Sequence, residues 1–254
     1  MEKSGEQAQT IQKEFERAAA YFTERTQGRF DSLDVVNFSR IQSGARVLEV
    51  GVGTGSFLQL FAGRAGSLVG VDLTFAMLEQ GSREKPDLQL VVGDGNGLPF
   101  RSQSFDLVAS AQTFHHIARP VPVLREMARV VAAHGRVLVV DQVAPEHYEE
   151  MVAMTELETL RDPSHAASRS PSAMRLLIQA AGLELIDERI VSTRESLTQW
   201  MWPGEFPLER IGAVRDFVAK RGPETGMAFE SDGDDYTFER RRMALLAEIP
   251  RTQR

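Results

Sequence analysis

The chain has no cysteine among its 254 residues. That absence excludes disulfides, thiolate metal sites and cysteine nucleophiles, and it matches a reducing compartment, so a cytoplasmic location is expected. No run approaches the ~18 consecutive apolar residues of a membrane span. The first residues, Met1-Glu-Lys-Ser-Gly-Glu-Gln, lack the apolar stretch of a signal peptide. Positive charge is in deficit: the formal net charge of -7 argues against nucleic-acid binding through phosphate neutralisation. His115, His116, His134, His147 and His165 match no common ligand spacing, so no metal is expected. There is no repeat at a solenoid period. What remains is the composition of a globular protein, 42% hydrophobic and 26% charged, able to form one domain over 1–254.

The apolar pattern alternates strand and helix. Ile11, Phe15, Ala18 and Phe22 fall at helical spacing, and a shorter helix is predicted over about 31–41, so 1–43 reads as N-terminal cap helices. Short β-rich runs follow at about 45–50, 67–72, 88–92, 105–110 and 136–140. Leu58, Phe61 and Ala62 suit the inner face of a helix after the first run. Phe75, Met77 and Leu78 suit one after the second, and Val123 to Val131 one stopped by His134-Gly135. Such alternation predicts an α/β fold, a parallel sheet with helices on both faces, whose core is 44–141. From about 142 to 225 the pattern is irregular and reads as a helical lid and substrate region carrying one strand at 183–191. The last segment, 226–254, holds a final strand, Tyr236 to Ile249, expected at a sheet edge with Arg240 to Arg242 on a solvated face.

The most informative stretch is Val47-Leu-Glu-Val-Gly51-Val-Gly53-Thr-Gly55, followed by Val69-Gly-Val-Asp72. A buried strand, a glycine-rich turn and a second strand ending in a carboxylate build a nucleotide-sized pocket at the carboxyl edge of a parallel sheet. Asp72 follows Gly51 by about 20 residues, the separation at which a carboxylate meets ribose hydroxyls. Glu49 brings a carboxylate to the mouth of the turn. The third strand ends at Asp94-Gly95, where the carboxylate can accept from an adenine amino group. The fourth runs into Ala111-Gln112-Thr-Phe-His115-His116.

These motifs, "VLEVGVGTG", "LVGVDLT", "VVGDGNGLPFRSQSFDLV" and "GRVLVVD", resemble in order and spacing the class I S-adenosylmethionine-dependent methyltransferases, specifically the group called methyltransferase type 11. The resemblance implies a Rossmann-like, seven-stranded, mostly parallel sheet with an antiparallel last strand, and S-adenosylmethionine as cofactor. It implies that Gly51, Gly53 and Gly55 surround the methionine portion. Asp72 would hold the ribose, Leu73 would pack by the adenine, Asp94 and Gly95 would contact its edge, and Met77 would also bind the cofactor. The Ala111 carbonyl would meet the amino group, Gln112 would also bind the cofactor, and Tyr21 would close over the methionine end. The partner is a small-molecule methyl acceptor, methylated on oxygen, nitrogen or carbon. Its identity and the oligomeric state stay open.

Several residues carry two readings. His115 and His116 are candidates for a general base, or for a structural or cofactor-positioning role. Tyr148, Met151, Met154, Trp200 and Trp202 suit a pocket for an apolar acceptor, or the packing of the lid onto the sheet. Asp162-Pro163-Ser164-His165 with Arg169 resembles a loop recurring in one branch of the family. A nicotinamide-dependent oxidoreductase is the alternative enzyme, disfavoured because no Tyr-x-x-x-Lys pair is present. A non-catalytic S-adenosylmethionine-binding protein is the alternative of another class.

Overall fold

The structure is a computed structural model that describes residues 2–26, 28–201 and 206–250; the side chains of residues 2–5, 18 and 20–26 fall outside that description. In chain order the helices are α1 (Glu2–Thr26), α2 (Val35–Phe38), α3 (Phe75–Glu84), α4 (Pro120–Val130), α5 (Tyr148–Arg161), α6 (Pro171–Ala180), α7 (Leu197–Trp200) and α8 (Leu208–Arg221). The strands are β1 (Ala45–Val50), β2 (Ala65–Asp72), β3 (Gln89–Val92), β4 (Phe105–Ala111), β5 (Val131–Gln142), β6 (Glu184–Ser196), β7 (Glu230–Asp232) and β8 (Asp235–Glu248). Among the described residues no helix is long and apolar enough to cross a membrane.

The sheet order is β3-β2-β1-β4-β5-β8-β6, with short β7 paired to β8. The pairs among β1 to β5 are all parallel. β8 runs antiparallel to both its neighbours, β5 and β6. The period of two along each strand divides the core between two faces. Val47, Leu107 and Leu138 join Phe38, Phe57, Phe61 and Leu78 on one side. Leu48, Val108, Val137 and Val139 join Leu124 and Met127 of α4 and Ile178 of α6 on the other. Full burial of each such side chain contributes roughly 1.5–3 kcal/mol. A third cluster, Met154, Leu157, Trp200, Met201, Phe206, Val214 and Phe238, packs α5, α7 and α8 together against the sheet.

Four expectations are corrected. The segment after the glycine turn is only a 3-10 turn, Leu58–Phe61. The predicted helix over 31–41 is split, because Asp34 takes a left-handed conformation (φ 46°) between a 3-10 turn and α2. α4 ends at Val130 and β5 starts at Val131; the expected stop at Gly135 instead lies in β5, where the register shifts, and a Cβ there would fall 2.8 Å from the Asp106 carbonyl oxygen. The last strand is interior rather than at an edge. Its Arg240 and Arg242 are buried, 5% and 3% exposed, against Glu195.

Candidate functional site

The carboxyl ends of β1, β2, β3 and β4 open into one cavity of about 710 Å³, within the range of small-ligand sites. The chain crosses its floor at Gly51, whose φ of +74° is open to glycine at no steric cost. A Cβ there would fall 2.4 Å from the Thr113 side chain. The turn is fastened by Gly51 N–H to the Val71 carbonyl at 2.8 Å. Gly53 N–H donates to Asp72 Oδ2 and Thr74 N–H to Asp72 Oδ1, both at 2.8 Å. Asp72 is therefore oriented by its own backbone surroundings. Burial pushes its carboxyl above the usual range, while those N–H groups oppose the rise.

Glu49, at the end of β1, is 1% exposed, and its Oε2 has no hydrogen-bond partner among the described residues. Burial raises its pKa well above the ordinary value, the Leu58 backbone opposes, and Asp72 adds to the rise. Gln112, just past β4, sits at φ +51° with both amide atoms buried and unpartnered. These orphaned groups cost stability unless something bound satisfies them. At the other end, Asp94 Oδ1 accepts from Asn96 N–H at 2.9 Å and from Asn96 Nδ2 at 2.8 Å.

Helix α1 lies over this cavity through Gln7, Ala8, Ile11 and Phe15. Gln12 Nε2 donates to the Leu73 carbonyl at 3.0 Å, and Gln7 Nε2 to the Ser164 carbonyl at 2.9 Å. The cap is thus pinned at both ends of the site.

The structure brings Glu49, Gly51, Gly53, Asp72, Leu73, Met77, Asp94, Gly95, Ala111, Gln112 and His116 onto the cavity wall. Gly55 and His115 are not on it. Gly55 (φ +81°) instead gives way to Leu88, whose Cδ1 lies 2.3 Å from where a Cβ would stand. His115 Nδ1 meets Asp141 Oδ1 at 2.6 Å, and its N–H donates to Asp141 Oδ2 at 3.1 Å. Tyr21 belongs to α1, but its side chain lies outside the described residues, as does Trp202. Trp200 and Met154 are buried in the third cluster, and Tyr148 is 68% exposed, so none lines the cavity. Sequence reading missed Arg29, Phe30 and Phe57, which do. Arg29 left no signal because a single arginine after Gly28 has no spacing to betray it.

The loop 162–169 wraps the His115-His116 turn. Ala166 N–H donates to the His115 carbonyl at 2.8 Å, and Arg169 spans the Phe114 and Ile117 carbonyls, each at 2.7 Å. Burial drives His116 down to about 3 and His165 to about 4, with His115 pushing both further the same way. Burial alone would raise Asp141, but His115 beside it brings its carboxyl below the ordinary range.

A methyltransferase-domain model matches residues 48–139, the strands and turns that form this cavity. Over 170 residues the chain is 32% identical to the uncharacterized methyltransferase YcgJ of Bacillus subtilis, covering 65% of this chain and 67% of that protein. Over 160 residues it is 29% identical to the demethylmenaquinone methyltransferase of Renibacterium salmoninarum, covering 62% of this chain and 65% of that enzyme. With the corresponding Paenarthrobacter aurescens enzyme the match spans 42% of each. The solved structure of Bacillus subtilis YcgJ superposes with a TM-score of 0.77 at 25% identity, over 84% of this chain and 95% of that one. A Bacillus halodurans protein shares the fold at a TM-score of 0.80 and 23% identity, over 87% and 99% of the two chains. The glycine turn, the carboxylates at the strand ends, the sheet order and these likenesses agree: the chain belongs to the class I S-adenosylmethionine-dependent methyltransferases, within the methyltransferase type 11 group.

Proposed function

We propose that this enzyme methylates a small organic acceptor, and that the residues on the cavity wall hold the donor in a fixed order. Asp72 takes the ribose hydroxyls, Leu73 and Met77 flank the adenine, and Asp94 with Gly95 meets its edge. Gly51, Gly53, Ala111 and Gln112 receive the methionine end, with Glu49 beneath it. Gly55 shapes the turn from behind. The observation that carries this assignment is the set of buried, unpartnered atoms at that end, Glu49 Oε2 and both amide atoms of Gln112. A carboxylate oxygen and an amide without partners fit a ligand carrying positive charge and its own hydrogen-bonding groups.

Bound S-adenosylmethionine supplies a methyl group on a positively charged sulfur, ready for in-line displacement. The protein's share is alignment and exclusion of water, which can supply roughly 7–11 kcal/mol of a barrier. Helix α1 and the rings of Phe15, Phe30 and Phe57 make the acceptor side apolar, which suits a compact organic molecule.

Thermal unfolding with separate additions of S-adenosylmethionine, S-adenosylhomocysteine and NADPH tests the site. A ligand at about 100 times its Kd adds roughly 2.7 kcal/mol, so either sulfur compound should raise Tm by about 5–10 °C and NADPH should not. Asp72→Asn, which keeps an acceptor for only one of the Gly53 and Thr74 N–H groups, should weaken S-adenosylhomocysteine binding about 10- to 100-fold in a chain that still unfolds cooperatively. Unchanged affinity would remove Asp72 from the site.

A further inference from the structure

A second set of unsatisfied groups lies outside the donor cavity, where α5 and α7 pack against the sheet. Among the described residues, Gln142 Nε2, Trp200 Nε1 and Arg240 Nε are buried donors without acceptors, and Glu158 Oε1 and His165 Nδ1 also lack partners. None of these five residues is more than 5% exposed, and none lines the donor cavity. They are neighbours. Arg240 Nη2 donates to Gln142 Oε1, which fixes the orientation of that amide and leaves its Nε2 bare. The Arg240 guanidinium lies 5.9 Å from the Trp200 ring, and Arg161 of α5 stands over the same ring at 4.6 Å. Arg161 Nη1 reaches the other Glu158 oxygen, at 3.4 Å. The Glu158 charge acts on both His165 and Arg240.

The bare groups divide by sign. Three donors gather at the Arg240 guanidinium, and two acceptors at the Glu158 carboxylate. His165 accepts at Nδ1 when its Nε2–H donates to Ser168 Oγ, 3.1 Å away. Ordered water satisfies buried polar groups of either kind. A separation into a cationic, donor-rich side and an anionic, acceptor-rich side matches instead a molecule that carries both charges itself.

We propose that this is a binding site for an α-amino acid. Its carboxylate accepts from Gln142 Nε2, Trp200 Nε1 and Arg240 Nε, and its ammonium donates to Glu158 Oε1 and His165 Nδ1. A carboxylate alone would face the Glu158 charge, and a cation alone would face Arg240 and Arg161; the zwitterion avoids both repulsions. The site is separate from the donor cavity and does not depend on the methyl-transfer reading. Because its walls are buried, a ligand enters when α5 and α7 part from the sheet, and association is correspondingly slow.

The chain has two tryptophans, so nitrogen-labelled full chain gives two indole N–H signals, and the one missing from Trp200→Phe belongs to Trp200. The probes are the common amino acids added singly, with acetate and methylamine as controls. The expected result is that at least one amino acid moves the Trp200 signal. At about 100 times its Kd it should also raise Tm by roughly 5–10 °C, while acetate and methylamine at the same concentration do neither. Glu158→Gln keeps an oxygen acceptor without the charge and should weaken that amino acid about 10- to 100-fold. Trp200→Phe, which keeps an aromatic ring and removes the N–H, should weaken it about tenfold. Cooperative unfolding of each variant confirms its fold. Absence of a response to every amino acid, which leaves these groups to water alone, overturns the proposal. So does an equal response to acetate or methylamine, or wild-type affinity in either variant.

Discussion

Glu49 is held where its charge is costly. It is 1% exposed, one oxygen is unpartnered, and burial with Asp72 nearby raises its pKa well above that of a free glutamate. A carboxyl whose folded pKa is raised stabilises the fold only at low pH; that stability is lost as pH climbs from the unfolded value toward the folded one. Near pH 7 the site is therefore tense without ligand, and a cationic group beside Glu49 relieves it. Glu49→Gln should accordingly raise the ligand-free Tm, more at pH 8 than at pH 5. It should also cut the preference for S-adenosylmethionine over its uncharged product about tenfold, roughly 1.4 kcal/mol. Calorimetric titration of both compounds against wild type and E49Q measures this, and an unaltered affinity ratio would show that Glu49 does not sense the sulfonium. Glu49, Asp72 and Asp94 were legible in the sequence because each ends a strand at a fixed distance from the glycine turn. Arg29 and Phe57 were not, since what brings them to the cavity is the packing of a turn rather than a spacing.

Among the elements, β1 to β4 could be read from apolar runs and glycines to within a few residues, and β5 only in its second half. β8 could not be placed. A run of alternating arginine and apolar residues fits an edge strand as well as an interior one, because periodicity reports which side chains share a face and not which strands become neighbours. Pairing between β5 and β6 puts Arg240 and Arg242 on one face, with Arg240 over the Trp200 ring of α7. There Arg242 Nη1 donates to Thr193 Oγ1 at 2.8 Å, Arg240 donates to Gln142 Oε1, and both pair with Glu195. Burial alone would raise Glu195, yet the two guanidiniums bring it down to about 2. Removing one partner strands a buried charge, typically at about 3–5 kcal/mol. Glu195 retains 24% side-chain exposure, so Glu195→Ala should cost about 3 kcal/mol and lower Tm by about 6–12 °C. Cofactor affinity, set by β1, β2 and β4, should be unaffected. A loss of stability below about 1 kcal/mol would mean that solvent reaches both arginines.

The molecule as a whole is sensitive to acid through its neutral buried histidines. The folded pKa of His165, about 4, lies below the ordinary 6.5 because burial outweighs the nearby Glu158, Asp162 and Asp141. The unfolded chain binds a proton near pH 6.5 that the folded chain refuses until about pH 4, so stability falls as pH drops through that window. Asp72 and Glu49, with raised values, work in the opposite direction, and the total slope is a contest between the two sets. One substitution separates them. His165→Gln keeps an amide near Nε2 to meet Ser168 Oγ, which lies 3.1 Å from that nitrogen, and removes only the titration. Relative to wild type, H165Q should gain roughly 2 kcal/mol between pH 7.5 and pH 5, whatever its absolute stability at pH 7.5. Denaturant unfolding of both chains at pH 7.5, 6 and 5 gives the difference directly. Parallel stability curves across that range would show that His165 titrates as it does in the unfolded chain, and the loop that wraps the His115-His116 turn would then be open to water.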